Sequence, residues 1–310
     1  MHHSDSSSMA IHDGSWHILI AGLAPVQGPL TLAPGVTLRG LDSPLSVFDL
    51  AAAGVAGFQE WAVLEPIATA CCNEIEATAD SAVTPGYNTL NRAWLAMTLL
   101  GLRGFTRHLS VARSSYSWGS IAGSNPGPDA RVQGATSRSL ESFTGGLLDF
   151  RLKMLSAGEP LEHELTDKDA LWVRSNFSTA NTLASSSQAF RFALEAASDW
   201  RFATDSRAGI ARLWSGVEAL FDIRTELVYR LSILLASLLE ERGSGRIERF
   251  AAVKRLYSQR SKAVHGAPMK EGAIADALDG SLELLTDLLR LIIERGEMLS
   301  DEEQLRSILC

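Results

Sequence analysis

Apolar residues recur at a helical period over most of the C-terminal half of this chain. From about residue 140 onward, each strong apolar repeat has the three- or four-residue spacing of an amphipathic helix. The predicted helices cover residues 140–156, 167–183, 187–202, 206–221, 225–241, 246–265, 272–295 and 301–309. Hydroxyl and carboxylate side chains at 166–167, 185–186, 205–206 and 300–301 suit helix starts, and Gly243, Gly245, Gly266 and Gly296 fit helix ends. This half is predicted to be all helical.

The N-terminal part alternates between strand and helix patterns. Residues 16–23 and 36–41 are predicted strands, joined by a connection rich in Gly and Pro. The predicted elements that follow are a helix over 58–79 that Pro66 would kink, a helix over 90–102, a strand over 105–113 and a long loop over 114–139. This part is therefore predicted to be α+β.

The predicted fold class is mainly α. A helical bundle at residues 160–300 follows a smaller α+β domain at residues 15–140, and residues 1–14 are predicted to be a flexible N-terminus. The boundary between the two domains is placed between residues 120 and 161.

Composition is typical of a folded protein in a reducing compartment. Hydrophobic residues make up 46% and charged residues 21% of the 310 positions. The three cysteines, of which Cys71 and Cys72 are adjacent, form neither a disulfide framework nor a zinc-site spacing. Residues 1–10 lack the apolar core of a signal peptide, and the most apolar run, 227–239, is too short to cross a bilayer. We expect a soluble cytoplasmic protein with no membrane partner, no metal and no cofactor.

The net charge of −8 disfavours general attraction to nucleic acid. Contact with RNA or DNA would require a local basic patch. Several arginines between Arg242 and Arg260 could supply one, and the alternative is that they form a solvated helix face.

The strongest candidate chemistry lies at the end of the helix predicted over 246–265. Arg260 and His265 stand five residues apart there, before Gly266 and Pro268. An arginine, which stays charged, can hold a phosphate, and a histidine, which titrates near neutrality, can move a proton. The spacing alone has little specificity, because Arg103 and His108 repeat it.

Each of these two residues also has a purely structural interpretation. Arg260 falls on the apolar face of its helix with Phe250, Val253, Tyr257 and Val264, so an unpaired guanidinium there would be costly. Glu218, beside the apolar stripe of an earlier helix, is its predicted ion-pair partner. His265 lies about 140° around the helix from Arg260, in the last turn, where an imidazolium interacts favourably with the helix dipole.

Two segments together resemble the Apea-like branch of the HEPN superfamily: residues 212–221 (RLWSGVEALF) and 256–266 (LYSQRSKAVHG). The resemblance covers about residues 161–299, and its most specific parts are Trp-x3-Glu-Ala-Leu-Phe and Arg-Ser-Lys-x2-His-Gly. It implies an all-α bundle that dimerises, so that the Arg-x4–6-His elements of two protomers form a shared cleft. Arg260 and His265 match the catalytic pair, and Glu218 matches the acidic residue of the preceding helix.

Three neighbouring residues are candidate supporting residues, namely Tyr257, Ser261 and Lys262. Many active HEPN nucleases have Asn, Asp or His at the position of Ser261. Serine is usual there in the Apea-like branch, so the match to that branch is kept.

Many HEPN proteins are metal-independent endoribonucleases of toxin–antitoxin, abortive-infection and phage-defence systems, and others keep the fold without cleavage. The resemblance therefore implies RNA cleavage by attack of the ribose 2′-OH on the adjacent phosphorus, with His265 as base or acid and Arg260 as the stabiliser of the phosphorane. A non-catalytic module that binds RNA, a nucleotide or a protein partner is the alternative, and a purely structural helical protein is a third.

The expected partners are a second copy of the chain, RNA, and an antitoxin or defence-system protein. The homodimer is expected through the C-terminal helices. One reason is the divergence of Arg260 and His265, and another is that the apolar helix at 282–293 offers more hydrophobic surface than a lone bundle needs.

Overall fold

The computed structural model describes residues 16–43, 45–46, 71–78, 87–105, 109–114, 117–119, 164–221 and 227–309. These residues group into two compact units, a sheet-containing N-terminal unit and a helical C-terminal unit. The chain is mainly helical, as predicted. The predicted helix over 140–156, most of the predicted loop and the predicted domain boundary lie outside the described residues, as does His108.

The first unit contains a five-stranded antiparallel sheet. Its strands are β1 (Trp16–Ala21), β2 (Leu30–Ala33), β3 (Val36–Gly40), β4 (Cys71–Ala77) and β5 (Leu109–Ser114), in the order β2-β3-β4-β1-β5. Ile18, Leu19 and Ile20 of β1 are all buried, so this strand is covered on both faces. Helix α1 (Tyr87–Leu102) follows β4 in the chain.

Two strands differ from the sequence prediction. Residues 71–77 form β4, so the predicted helix over 58–79 is wrong at its C-terminal end. β2 lies within the connection predicted to have no regular structure, and it pairs with β3 through a tight turn in which Gly35 has φ +67°. That left-handed conformation favours glycine.

Buried polar side chains of β4 hold the loops next to the sheet. Asn73 is fully buried, and its Nδ2 donates to the carbonyl oxygens of Leu23 and Ala24, both at 3.0 Å. Its Oδ1 accepts from the backbone N–H of Val26 at 3.0 Å. Burying an amide is tolerated because its donors and acceptor are satisfied.

Glu74 makes a second set of long-range contacts. It is 3% exposed, and it accepts hydrogen bonds from Ser117 Oγ and from the backbone N–H of Trp118, each at 2.7 Å. His17 Nδ1 lies 3.6 Å from Glu74 Oε1, and Trp118 Nε1 donates to the His17 carbonyl at 3.1 Å. These contacts fasten residues 117–119 to β1 and β4.

The remaining helices confirm the predicted ones to within a few residues. They are α2 (Asp167–Ser186), α3 (Gln188–Asp199), a 3₁₀ turn (Trp200–Phe202), α4 (Ser206–Ala219), α5 (Leu227–Leu239), α6 (Ser244–Val264), α7 (Glu271–Arg295) and α8 (Asp301–Leu309). Asp205 caps α4 by accepting from the N–H of Ala208 at 2.9 Å, as predicted. The cap of α3 is Ser187 rather than residues 185–186. Gly243 precedes α6 as its N-cap and Gly245 lies in the first turn of α6, so neither glycine ends a helix.

Helix α4 lies at the centre of the helical unit, in contact with α3, α6 and α7. The side chain of Trp214 is fully buried there, and its Nε1 donates to Ser281 Oγ of α7 at 2.9 Å. Six large apolar residues of α7 are buried within this one chain, namely Leu284, Leu285, Leu288, Leu289, Ile292 and Ile293. Leu282 and Leu291 of the same helix are only half-buried, and the homodimer through the C-terminal helices stays a prediction.

No helix in the described ranges is both long and apolar enough to cross a membrane.

Gly216→Ala is expected to destabilise the fold, although alanine is the better helix former by about 1 kcal/mol. A Cβ at Gly216 would lie 2.8 Å from Ala196 Cβ and 3.1 Å from Leu285 Cδ2, so α3 or α7 would have to move. Overpacking of this kind costs about 1–3 kcal/mol. Urea unfolding measures the change, with Gly272→Ala as control, since nothing lies within 4 Å of a Cβ there. A Gly216→Ala protein at least as stable as the control would contradict this packing.

Candidate functional site

The C-terminal end of α6 is sharply defined. Gly266 has φ +69°, the N–H of Gly266 donates to the Ala263 carbonyl at 3.4 Å, and the N–H of Ala267 donates to the Lys262 carbonyl at 2.9 Å. This is the Schellman arrangement, which satisfies the last carbonyls of a helix and favours glycine at the left-handed position. Gly266 therefore ends α6 as predicted, and His265 is fixed as the capping residue.

Arg260 of α6 and Glu218 of α4 form the predicted ion pair. Arg260 Nη2 donates to Glu218 Oε2 at 3.1 Å. The two side chains are 23% and 26% exposed, so the pair lies at the edge of the core and is only partly screened by water. The structural interpretation of Arg260 is thus confirmed as a contact that ties α4 to α6.

This ion pair is incomplete. Glu218 Oε1 and Arg260 Nε are both buried and have no hydrogen-bond partner among the residues that the structure describes. A bidentate carboxylate–guanidinium pair would use both oxygens and two donors, so here a single contact holds the pair together. An unmade hydrogen bond at a buried polar atom costs free energy, and it leaves Arg260 with donor capacity for another acceptor.

Tyr257 positions the guanidinium. Its ring packs edge-on against Trp214, with centroids 5.2 Å apart, and Arg260 Cζ lies 5.5 Å from the Tyr257 ring centroid. The aromatic pair therefore links the buried core of α4 to Arg260. Tyr257, a candidate supporting residue, thus contacts Arg260 through packing.

His265 is exposed at the end of α6, and its backbone N–H donates to the Ser261 carbonyl at 3.0 Å. Within the described residues, no hydrogen bond or ion pair joins its side chain to Arg260. The separation of about 140° around the helix explains why one chain does not bring the two side chains together. Val264 is 46% exposed, so the prediction that it shares the buried face is wrong, because it lies in the terminal turn of α6.

One cation of this site was missed by sequence reasoning. Arg207, in the first turn of α4, donates from Nη1 to the Lys262 carbonyl at 3.3 Å. It thereby brings a guanidinium to the end of α6, where the helix dipole is negative. No local motif marks Arg207, because it lies 55 positions from its acceptor.

A second signal was available in the sequence. From Arg249 to His265 the chain contains no Asp or Glu, although its net charge is −8. Arg249 is neutralised by Glu240, Glu283 and Asp287, and Arg260 is paired with Glu218. The end of α6 is therefore a local basic surface on an acidic protein.

In the described part of the chain, no group of three or more His, Cys, Asp and Glu side chains is arranged to hold a metal ion. Compared with known proteins, the chain matches no family model, no curated protein and no solved structure. Function is therefore inferred from the geometry of the site and from the chemistry of its residues.

Proposed function

We propose that the chain is a metal-independent endoribonuclease of the HEPN type, acting in a toxin or phage-defence setting. The observation that carries the proposal is the end of α6, where an exposed imidazole stands within one to two turns of Arg260 and Lys262, and where Arg207 donates to the Lys262 carbonyl. Phosphodiester chemistry needs a proton-transfer group beside fixed positive charge, and this end of the helix supplies both.

The two central side chains take different parts in the reaction. His265 accepts the proton of the ribose 2′-OH, or donates one to the leaving 5′-oxygen, and its exposure leaves the imidazole accessible to substrate. Arg260 binds the phosphate oxygens as negative charge builds up on them, in exchange for its single contact with Glu218. The products are a 2′,3′-cyclic phosphate and a 5′-OH, and DNA, which lacks the nucleophile, is not cleaved.

The same geometry favours a site shared by two chains. His265 and Arg260 diverge around α6, so a second protomer that presents its own α6 end would place an imidazole beside an arginine. We propose a homodimer through the C-terminal helices on this ground, and an antitoxin or defence-system protein belongs to the same proposal as the regulator of the activity.

A second candidate function is a non-catalytic HEPN module that binds RNA, a nucleotide or a protein partner. The contact between Arg260 and Glu218 favours it, because an arginine occupied by a carboxylate serves the fold without any substrate. The basic end of α6 would then be a binding surface only.

Cleavage in the absence of divalent metal separates the two functions. Purified wild-type protein with a single-stranded RNA in excess EDTA is expected to produce fragments that carry 2′,3′-cyclic phosphates, identified by mass spectrometry. A DNA strand of the same length serves as the control and should stay intact. Intact RNA, with genomic-neighbour proteins and phage-infected extract supplied as triggers, would refute the nuclease and favour the binding module.

A further inference from the structure

The exposed side of α6 carries a row of cations that lack carboxylate partners in the described part of the chain. Lys254, Arg255, Lys262 and His265 are exposed, and no ion pair involves them within the described residues. At 100° per residue, these four positions and the exposed Ser258 fall within about 100° of one another around the helix. Arg249 and Arg260, which have carboxylate partners, lie on the opposite side.

Arg207 of α4 adds a further cation at the C-terminal end of α6, where this row ends. One of its donors is bound to the Lys262 carbonyl, which holds the guanidinium at the end of α6. Among the described residues its other donors have no partner, and its side chain is partly exposed. Because a backbone carbonyl does not neutralise it, Arg207 keeps its full charge available for an anion.

We propose that Lys254, Arg255, Lys262 and Arg207 together form a track, which binds the phosphates of a single RNA strand and leads the strand to His265. The inference rests on the proposed function, which supplies RNA as the ligand, and it adds the residues that hold the strand. Lys254 and His265 are separated by about 16 Å along the helix axis, which accommodates a few nucleotides of one strand. A single row of cations on one helix fits one phosphate backbone better than the two of a duplex.

The contacts are to phosphates and therefore independent of base sequence. Neutralising phosphates releases counterions, so the logarithm of the affinity falls with the logarithm of salt concentration, by about 0.7 for each phosphate contacted on a single strand. Three or four contacts predict a slope of about −2 to −3. An acidic protein shows such attraction only where a local basic surface overrides its net charge.

The test measures binding by the full-length His265→Ala protein, so that the probe is not cleaved. The probe is a fluorescein-labelled oligouridylate of about 12 nucleotides, titrated by anisotropy between about 50 and 200 mM KCl. Arg207→Ala, Arg255→Ala and Lys262→Ala, each added to His265→Ala, are expected to weaken binding several-fold and to reduce the salt slope by about 0.7. Arg207→Lys, which retains the charge, should restore most of the affinity.

Arg191→Ala is the matched control, because Arg191 is an exposed cation of α3 without an ion pair in the described part of the chain. It should bind the probe as its parent does. A DNA strand of the same length should show the same salt slope as the RNA.

The outcomes distinguish the track from the nuclease. Track variants that bind no more weakly than Arg191→Ala would overturn the track, even where the wild type cleaves RNA. Weakened binding by the track variants, with no cleavage by the wild type, would support the track and refute the nuclease. Failure of the His265→Ala parent to bind the RNA probe would also overturn the proposal and would point to a protein partner for this surface.

Discussion

His265→Ala is expected to reduce the rate of RNA cleavage by about 10²- to 10⁴-fold, the usual contribution of a positioned acid or base. The fold should be almost unaffected, because the His265 side chain is exposed and the Schellman arrangement that ends α6 uses backbone groups only. The measurements are initial cleavage rate and urea unfolding. Val264→Ala is the matched control, since Val264 is the neighbouring residue and is 46% exposed. Loss of stability in His265→Ala, with unchanged cleavage, would contradict the assigned role.

Arg260→Ala is expected to give a different combination of effects. Cleavage should fall by about 10²- to 10³-fold with the loss of a phosphate-stabilising donor. The fold should lose about 1–2 kcal/mol, because Glu218 would be left partly buried without its partner, and this cost is below that of a fully buried pair. Arg260→Lys keeps the charge beside Glu218, so it should recover stability but not the cleavage rate. Full activity in Arg260→Ala would remove Arg260 from the site.

Glu74→Gln is expected to destabilise the sheet unit by about 1–3 kcal/mol at neutral pH. Glu74 is 3% exposed and accepts hydrogen bonds from Ser117 Oγ and from the N–H of Trp118, and a glutamine would replace these charge-assisted bonds with weaker neutral ones and keep only one acceptor oxygen. Glu76→Gln is the control on the same strand, since Glu76 is 23% exposed and its ion pair with Arg39 is a surface one. Equal stability of the two variants in urea unfolding at pH 7 would contradict the assigned importance of Glu74.

The Glu74 carboxylate should also make the free energy of unfolding depend on pH in the acidic range. Burial alone would raise the pKa of Glu74, but the interactions with His17 and Ser117 and the N–H of Trp118 outweigh it, so the pKa is lowered. A carboxylate whose pKa is lowered by folding stabilises the folded state. This stabilisation is complete above the ordinary glutamate pKa of about 4.3, and it is lost as the pH falls through the lowered pKa. Wild-type stability should therefore decline below about pH 4 more steeply than that of Glu74→Gln, measured by urea unfolding at a series of pH values.

The helices could be predicted from the sequence because their determinants are local. The apolar repeat of α7, the Asp205 cap of α4 and the Gly266 stop of α6 each act within a few residues. The ion pair of Arg260 with Glu218 was also predictable, because a guanidinium on an apolar face needs an acidic partner on the facing helix.

β4 was not predictable, because its pattern depends on residues far along the chain. Asn73 and Glu74 are buried next to each other, so apolar and polar residues do not alternate as in an ordinary strand. The partners of their hydrogen bonds lie 43 to 50 positions away, which no local pattern reveals. Arg207 escaped notice for the same reason, since its role at the end of α6 comes from tertiary contact alone.

The single contact between Arg260 and Glu218 makes any phosphate binding at Arg260 an exchange of one anion for another. The measured free energy of phosphate binding would then be the difference between the attraction of Arg260 to the phosphate and its attraction to Glu218. The Glu218 carboxylate would compete with every anionic ligand. Weakly bound anions would be rejected, while a phosphate held by further contacts outside this pair could displace the carboxylate. Glu218 would thus set the minimum affinity that an anion needs in order to bind Arg260, in addition to joining α4 to α6.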